Sequence, residues 1–314
     1  MNIIEKLKKA ELKGRGGACF PTYIKWESVL KAEAPQKYII CNGAEGELDL
    51  RIDRYILENF KEDVINGIRI ALKTIPNSSA YMYLNKDYYT LFKDDLECED
   101  ITLIEGENKY IAGEETALIN YIEGKGSFPR RKPPYVSEKG LFNMPTLVNN
   151  VETFYYISKI QKGEYKNERF YMITGKKVKQ GIYELKEGMT IREILKVADI
   201  DFPFYVQAGG VLGDILKEDE LDRPLLCTGI IRVISYDEDP YEVMKTWAHF
   251  LTNGNCDKCT PCREGACEIY RMIYKKNIDF ERIKKVFSDL EQISFCSLGR
   301  SIPNSFKGMI EKIL

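Results

Sequence analysis

The cysteines are the residues of this sequence whose spacing most directly indicates chemistry. Cys256, Cys259 and Cys262 follow one another at C-x2-C-x2-C spacing, and Cys296 comes later, in the motif SFCSLG (294–299). Three close thiolates and one distant thiolate are the usual ligand pattern of a cubane iron–sulfur cluster. The pattern therefore predicts a [4Fe–4S] cluster held by these four cysteines.

Two other interpretations of the cysteines compete with this one. Structural zinc sites favour two separated Cys pairs, or Cys pairs with His, whereas the only histidine here, His249, stands alone upstream. The cysteines could also have no ligand role, but four of the nine lie in residues 256–267. Cys267 is off the spacing, and we expect it to be a small buried apolar residue on the following helix.

Length and amino-acid composition limit the classes to which this protein can belong. The chain has 314 residues, which is long for one core and predicts two or three domains. It is 44% apolar and 30% charged with a net charge of −2, which is typical of a globular protein and gives no basic stripe for nucleic acid. The first 17 residues lack the apolar region of a secretory signal, and no apolar stretch is long enough to span a membrane. An odd number of cysteines argues against a disulfide framework, so we expect a reducing, cytoplasmic location.

Residues 1–160 have the pattern of an α/β domain. An apolar run at 37–42 predicts a buried strand, and it ends in the glycine-containing loop 43–47, where α/β sheets usually place ligands. The glycines of 14–22 could let a backbone cradle a phosphate, although such a loop alone is a weak signal. Further helices are predicted at 2–12, 53–73 and 112–119, and further strands at 79–84 and 101–104.

The sequence pattern changes twice more in the rest of the chain. Residues 124–153 contain many prolines and polar residues and predict a long ordered loop with a functional role. Residues 165–238 predict a small α+β domain, with strands at 169–174, 182–185, 204–206 and 229–236 and a helix at 190–198 capped by Thr190. Residues 240–314 predict a helical bundle with the cysteines in its loops, with helices near 241–252, 264–275, 279–291 and 303–313.

Several separated motifs, in one order, make the chain resemble a known family. They are GRGGACFPTYIKW (14–26), IAGEETALINYIEGKGSFPRRKPPY (111–135), PTLVNNVETF (145–154), NCDKCTPCREG (255–265) with SFCSLG (294–299), and the looser CNGAEGELDLRIDR (41–54). The chain resembles a short variant of the flavin-bearing, NADH-oxidising subunit of respiratory complex I. Related diaphorase subunits occur in NAD-reducing and electron-bifurcating hydrogenases and in formate dehydrogenases.

The resemblance implies a multidomain α/β architecture. A Rossmann-like FMN domain would come first, a ubiquitin-like β-grasp domain of the SLBB type second, and a four-helix bundle holding the [4Fe–4S] cluster last. It also implies function: an oxidoreductase subunit that passes electrons between NAD(P)H and an iron–sulfur chain through FMN. The implied partners are a thioredoxin-like [2Fe–2S] subunit and a larger iron–sulfur or catalytic subunit. Neither nucleic acid nor direct membrane insertion is implied.

The resemblance also implies a set of site residues. Two carboxylates, Glu47 and Glu115, would orient the nicotinamide and the sugar hydroxyls, while Lys25 and Arg15 would balance the charge of the phosphates and the reduced flavin. The residues that match FMN-binding positions are Gly14, Arg15, Gly16, Gly17, Lys25, Asn42, Glu45, Gly113, Glu114, Glu115, Asn149 and Asn150. The residues that match positions receiving the dinucleotide are Phe20, Lys132 and Tyr135.

The sequence departs from the family pattern near the expected nucleotide site. Ala44 replaces an aspartate beside the flavin, Leu48 a proline, Cys19 and Tyr23 two glycines, and Ser28 an aromatic residue. The stretch from 83 to 110 is shortened, and the usual N-terminal leader is not seen. These departures keep two alternatives open. The chain could be a flavin and iron–sulfur relay that has lost nucleotide binding, or a zinc-stabilised adaptor with no redox role.

Overall fold

The computed structural model describes residues 2–225 and 228–314, so Met1, Leu226 and Cys227 lie outside the described residues. The chain divides into two compact units. The first comprises Met1–Gly46, Arg51–Asn108 and Ala112–Phe170, and the second comprises Glu47–Leu50, Lys109–Ile111 and Tyr171–Leu314. The predicted division into three domains, at 160–165 and 238–240, stays a prediction.

The first unit is built on a parallel sheet flanked by helices. Its elements are α1 (Ile3–Lys9), α2 (Thr22–Lys31), β1 (Lys37–Gly43), α3 (Ile52–Thr74), β2 (Ser78–Leu84), α4 (Lys86–Leu96), β3 (Ile101–Glu105), α5 (Glu115–Ile122), β4 (Thr146–Asn150) and α6 (Val151–Lys162). The sheet has the order β3-β2-β1-β4, and all its pairs are parallel. A parallel sheet covered by helices is a mixed α/β fold, which confirms the predicted class.

The register of β1 and β4 brings polar side chains to one edge of the sheet. Cys41 pairs with Asn149 and Asn42 pairs with Asn150, so Asn42, one residue before the end of β1, lies level with Asn150 at the end of β4. Because parallel strands point the same way, the loops after β1 and β4 leave the sheet side by side. This edge is where open α/β sheets place their ligands.

Helices α3 and α6 pack closely behind the sheet. A methyl group at Gly67 of α3 would lie 2.1 Å from the carbonyl oxygen of Phe154 in α6. Only a residue without a side chain lets the two backbones approach to this distance. The long α3 is also bent, because Phe60 has non-helical dihedral angles (φ −141°, ψ 28°).

The second unit begins with a five-stranded sheet. Its strands and helix are β5 (Glu168–Thr174), β6 (Gly181–Lys186), α7 (Ile191–Leu195), β7 (Phe204–Ala208), β8 (Asp214–Lys217) and β9 (Ile230–Ser235), and the first residues of β5 belong to the first unit. The strand order is β6-β5-β9-β7-β8. β5 and β9 are parallel, whereas β7 is antiparallel to both β8 and β9, so the sheet is mixed.

Helices make up the remainder of the second unit. They are α8 (Pro240–Gly254), α9 (Thr260–Tyr274), α10 (Phe280–Ile293), α11 (Ser297–Ser301) and α12 (Pro303–Lys312). Trp247 of α8 packs edge-on against Phe306 of α12, with 5.9 Å between ring centroids. α12 in turn packs on β8, where a methyl group at Gly308 would lie 2.9 Å from Ile215 Cβ.

The structure corrects several expectations about local structure. The predicted loop at 124–153 contains the edge strand β4 and the start of α6. The helix predicted from 112 begins at Glu115, after a 3-10 turn at Tyr110–Gly113. The helix predicted over 190–198 is α-helical only to Leu195, although Thr190 caps it as expected. Helices α2, α4, α6 and α11 and strand β8 were not predicted.

None of the helices formed by residues 2–225 and 228–314 combines the length and the hydropathy that a membrane crossing requires.

Candidate functional site: a four-cysteine centre and a sheet edge

The four predicted cluster ligands come from three short segments around α9 and α11. Cys256 lies in the turn after α8, Cys259 is the N-cap of α9, Cys262 is in its first turn, and Cys296 is the N-cap of α11. The side chain of Cys259 makes no capping hydrogen bond to α9. Cysteine is not among the preferred N-cap residues, so a ligand role accounts better for a cysteine at both positions.

The electrostatics show that the four thiols share one environment. Burial raises the pKa of Cys262 to about 12, and the neighbouring thiols of Cys259, Cys296 and Cys256 contribute to that rise. Burial also raises the pKa of Cys296, although the backbone N–H groups of Gly299 and Leu298 donate to it and oppose that rise. Four thiolates this close need a compensating cation, which a bound metal centre supplies.

The donor set fits an iron–sulfur cluster better than a single zinc ion. All four are cysteines, three at C-x2-C-x2-C spacing and one distant in sequence, and the single histidine, His249, lies outside the set. Structural zinc sites favour two separated Cys pairs or Cys pairs with His, whereas three close thiolates and a distant fourth are the usual ligands of a cubane cluster.

A buried asparagine next to Cys256 fixes the conformation of the loop that carries this cysteine. Asn255 is buried and donates to the carbonyls of Leu251 and Thr252, while its side-chain oxygen accepts from Asp257 N (2.7 Å). These bonds end α8 and turn the chain toward the first ligand. The expectation for Cys267 was wrong in one respect, because its side chain is partly exposed rather than buried.

The predicted flavin residues of the first unit converge on the sheet edge formed by β1 and β4. Asn42 Nδ2 donates to Gly113 O (2.9 Å), which ties the end of β1 to the turn before α5. A methyl group at Gly16 would lie 3.2 Å from Asn150 Cβ, so the glycine loop packs directly against the end of β4. The loop closes on itself through Gly14 N and Phe20 O (2.9 Å). Gly17 has φ 97°, a conformation that glycine adopts without strain.

Both asparagines of β4 are held in place by hydrogen bonds. Asn150 caps α6, with its side-chain oxygen accepting from Glu152 N (2.9 Å), and its Nδ2 donates to both carboxyl oxygens of Asp53 (2.9 and 2.7 Å). With its amide oriented to satisfy its neighbours, Asn149 accepts from Trp26 Nε1 (3.0 Å). Asp53 and Trp26 therefore position site residues, although sequence reasoning assigned neither a role.

A cluster of two lysines and two glutamates lies at the start of α5. Glu114 caps the helix by accepting from the backbone N–H groups of Thr116 and Ala117 (2.9 Å each). Glu115 is paired with Lys25 (3.1 Å) and Lys132 (2.9 Å), and Lys132 also reaches Glu114 (3.0 Å). Burial alone would raise the pKa of Glu115, but Lys25 and Lys132 bring it below its usual value. Glu115 is thus a carboxylate at neutral pH.

Glu45 caps α3 across the loop. Its carboxyl group accepts from Asp53 N (2.7 Å), Arg54 N (3.1 Å) and the Tyr88 hydroxyl (2.6 Å). Burial raises the pKa of Glu45, and burial together with the charge of Glu45 raises that of Asp53 well above its ordinary value. The Glu45 backbone is strained (φ 29°), and these bonds hold it. Glu45 therefore shapes the site by supporting its loop.

Two predicted residues have side chains engaged elsewhere. The guanidinium of Arg15 is buried, donates to Tyr165 Oη (3.3 Å) and stacks over the ring of Tyr156 (5.5 Å). In the second unit, Glu47 accepts from Val211 N (2.8 Å) and from the Tyr110 hydroxyl (2.8 Å), and burial raises its pKa to about 7. The predicted roles of both residues at phosphate and nicotinamide stay predictions.

The residues of the sheet edge fit FMN. Asparagine amides, glycine backbone and two lysines suit a phosphate and a polar heterocycle. A methyl group at Gly113 would lie 3.7 Å from Ala44 Cβ, so a side chain there would fill space that small residues keep open. Phe20 and Tyr135, predicted to receive the dinucleotide, are 43% and 57% exposed. Such exposed aromatic rings are available for stacking.

Comparisons with known proteins agree with this arrangement. The Nuo51 FMN-binding domain matches residues 7–159, and the NADH-ubiquinone oxidoreductase-F iron–sulfur binding region matches residues 242–313. The F subunit of NADH-quinone oxidoreductase from Aquifex aeolicus (strain VF5) is 32% identical over 99% of this chain and 84% of its own length. The NADP-reducing hydrogenase subunit HndC of Solidesulfovibrio fructosivorans is 29% identical over 96% of this chain and 72% of its own.

A solved structure shows the same fold. A crystal structure of an NAD+-reducing [NiFe]-hydrogenase in the H2-reduced state superposes with a TM-score of 0.91 at 28% identity. The match covers 98% of this chain, which spans 61% of that hydrogenase chain.

These matches define the class as an oxidoreductase subunit with FMN and a [4Fe–4S] cluster as cofactors. The chain belongs to the NADH-quinone oxidoreductase-F family. The predicted family, enzyme class and cofactors are confirmed. The individual site residues stay predictions, and the structure shows only where each of them lies.

Proposed function

We propose that this chain passes electrons between NAD(P)H and an iron–sulfur chain, through FMN in the first unit and one [4Fe–4S] cluster in the second. The observation that carries the proposal is the convergence of Gly16, Asn42, Gly113 and Asn150 at one edge of a parallel sheet. Bound FMN exchanges two electrons with a nicotinamide and single electrons with an iron–sulfur centre. The protein supplies position and charge.

The residues of the first unit would act on FMN as follows. The backbone of Gly14–Gly17 and the amide groups of Asn42, Asn149 and Asn150 would hold its phosphate and ring. Lys25 and Lys132 are both held beside Glu115. From there they would balance the negative charge of FMN. The Glu115 carboxylate would accept from a sugar hydroxyl or the amide of the nicotinamide, a role that needs the ionised form.

The second unit would carry the electron onward. Cys256, Cys259, Cys262 and Cys296 would ligate the cluster at one end of the helices, which we take to form a four-helix bundle. The five-stranded sheet before them would be a β-grasp domain of the SLBB type. The relatives named above are subunits of larger assemblies, and we propose a thioredoxin-like [2Fe–2S] subunit and a larger iron–sulfur subunit as partners of this chain.

An anaerobic titration tests the proposal. Purified chain reconstituted with FMN and iron–sulfur should show flavin and cluster absorbance that bleaches with NADH or NADPH, and the effective nucleotide is thereby identified. Glu115→Gln should lower kcat/KM for that nucleotide about tenfold, since it removes a charged hydrogen-bond acceptor. Glu27→Gln, which removes a carboxylate of a surface ion pair with Lys31, is the matched control and should leave kcat/KM unchanged.

A relay without nucleotide binding is the second candidate. It is favoured by Glu47, one of the two predicted nicotinamide carboxylates, whose oxygens already accept from Val211 N and Tyr110 Oη. If dithionite bleaches both centres and neither nucleotide does, the relay function replaces the dehydrogenase function. If Glu115→Gln matches wild type while NADH still bleaches the flavin, the role of Glu115 is wrong and the dehydrogenase function stands.

A further inference from the structure

A buried hydroxyl group without a protein partner lies beside the four-cysteine centre. Ser294 ends α10, where its backbone N–H donates to Leu290 O (3.3 Å). The residue is 1% exposed, and its Oγ has no hydrogen-bond partner among the described residues. A buried polar group without a partner destabilises the folded state, so this hydroxyl points to a partner that the polypeptide itself does not supply.

The position of the hydroxyl relative to the cysteines identifies that partner. A methyl group at Gly299 would lie 2.7 Å from Ser294 Oγ and 3.1 Å from Cys262 Cβ, so the hydroxyl and the buried cysteine face the same side of Gly299. Ser294 is also two residues from Cys296 in sequence. The absence of a side chain at Gly299 therefore lets the Ser294 hydroxyl and the Cys262 side chain approach the same point.

We propose that the Ser294 hydroxyl donates a hydrogen bond to a sulfur of the [4Fe–4S] cluster, either the Cys262 thiolate or a bridging sulfide, and so raises the reduction potential of the cluster. The inference rests on the proposed function, because it requires the cluster. Uptake of one electron, supplied through the flavin, makes the sulfurs more negative and strengthens a hydrogen bond to them. A donor therefore stabilises the reduced form more than the oxidised form. Ser294 would therefore contact the cluster directly and tune its potential.

Potentiometric titration of the cluster, followed by EPR, tests this role in the full chain. At the potential where the wild-type cluster is half reduced, Ser294→Ala should lower the ratio of reduced to oxidised cluster about tenfold. This corresponds to a midpoint about 59 mV lower for a one-electron couple. Ser297→Ala is the matched control, because Ser297 follows Cys296 but is exposed, and water replaces its hydroxyl. Its ratio should change less than about twofold.

Iron and acid-labile sulfide content separate the possible outcomes. If wild type and Ser294→Ala carry equal cluster and equal midpoint potentials, the inference is overturned and the proposed function is unaffected. If wild-type chain binds no cluster after reconstitution, both are overturned. If wild type keeps the cluster and Ser294→Ala loses it, the cluster potentials of the isosteric variants Ser294→Thr and Ser294→Val are compared instead. The Thr variant keeps the hydroxyl and should have the higher potential, whereas equal potentials reject the hydrogen bond.

Discussion

Replacing Gly67 with alanine should destabilise the first unit by forcing α3 and α6 apart. The added methyl group would lie 2.1 Å from Phe154 O, 2.8 Å from its carbonyl carbon and 3.1 Å from its Cα. All three atoms belong to the backbone, so no side-chain rotation relieves the clash. Ordinary contact begins at 3.4 Å, and the helices must separate by roughly 1 Å, which forfeits up to about half of the dispersion energy of the contacting atoms.

The expected cost follows from these distances. Overpacking of this kind costs about 1–3 kcal/mol and occasionally more, and a clash with backbone belongs at the upper end. Alanine regains about 1 kcal/mol over glycine in helix propensity. We therefore expect a net loss of about 2 kcal/mol in the free energy of unfolding. With a urea m-value of about 2 kcal/mol/M, the unfolding midpoint should fall by about 1 M.

The two tryptophans allow each unit to be followed separately. Trp26 belongs to the first unit and Trp247 to the second, and both are buried. Urea unfolding of Gly67→Ala in a Trp247→Phe background, at a fixed FMN concentration, reports the first unit alone. Trp247→Phe with Gly67 intact is the reference.

Gly265→Ala in α9 is the matched substitution. The atoms nearest to its methyl group would belong to the side chain of Leu290, at 3.0 Å, and this side chain can adjust. We expect a change within about 1 kcal/mol, because the gain in helix propensity offsets the adjustment. It is measured through Trp247 in a Trp26→Phe background. A Gly67→Ala midpoint within about 0.3 M of its reference would refute the packing argument, since that shift corresponds to less than about 1 kcal/mol.

Three further predictions concern a cluster ligand, a buried carboxyl group and a helix cap. Cys296→Ala should lose most of the cluster iron on anaerobic purification, whereas Cys267→Ala, which removes a thiol outside the ligand set, should retain it; equal iron in both variants would contradict the ligand assignment. Burial raises the pKa of Glu47 to about 7, so the folded state binds a proton that the unfolded state releases near pH 4.5. The contribution of Glu47 to stability should therefore decrease by up to about 3 kcal/mol as the pH rises from about 4.5 to about 7. Glu47→Gln should abolish this slope in urea unfolding reported by Trp247, and an unchanged slope would show that another group titrates. Thr190 and Glu193 form a capping box at α7. Thr190→Ala should cost about 1 kcal/mol in the same assay while Thr190→Ser stays near wild type, and equal stability of the two would reject the cap.

Elements with strong local patterns were predictable from the sequence. The strand predicted at 37–42 is β1, and the helix predicted at 53–73 is α3, within a residue of the observed bounds. Both have residue patterns that can be recognised within the segment itself. By contrast, β4 lies in a proline-rich stretch predicted as a loop. Its five residues become a strand because β1 supplies the hydrogen bonds.

The partners of charged side chains were the least predictable part of the site. Glu45 and Glu47 are two residues apart, and the family resemblance placed both at the cofactors. In the structure Glu45 caps α3, whereas Glu47 accepts from Val211 N, 164 residues away in sequence. Asp53 and Trp26, which orient Asn150 and Asn149, carry no local signal that distinguishes them from ordinary helix residues.

The sequence by itself determined the cluster-binding centre as a hypothesis and those strands and helices that have strong local patterns. Cysteine spacing is a local property that survives in any fold, and hydrophobic periodicity depends on neighbours within a few residues. Only the tertiary structure decided which polar groups meet at the sheet edge and which carboxyl groups are already occupied by the protein. These contacts join residues far apart in the chain, and their hydrogen bonds and burial are set by packing.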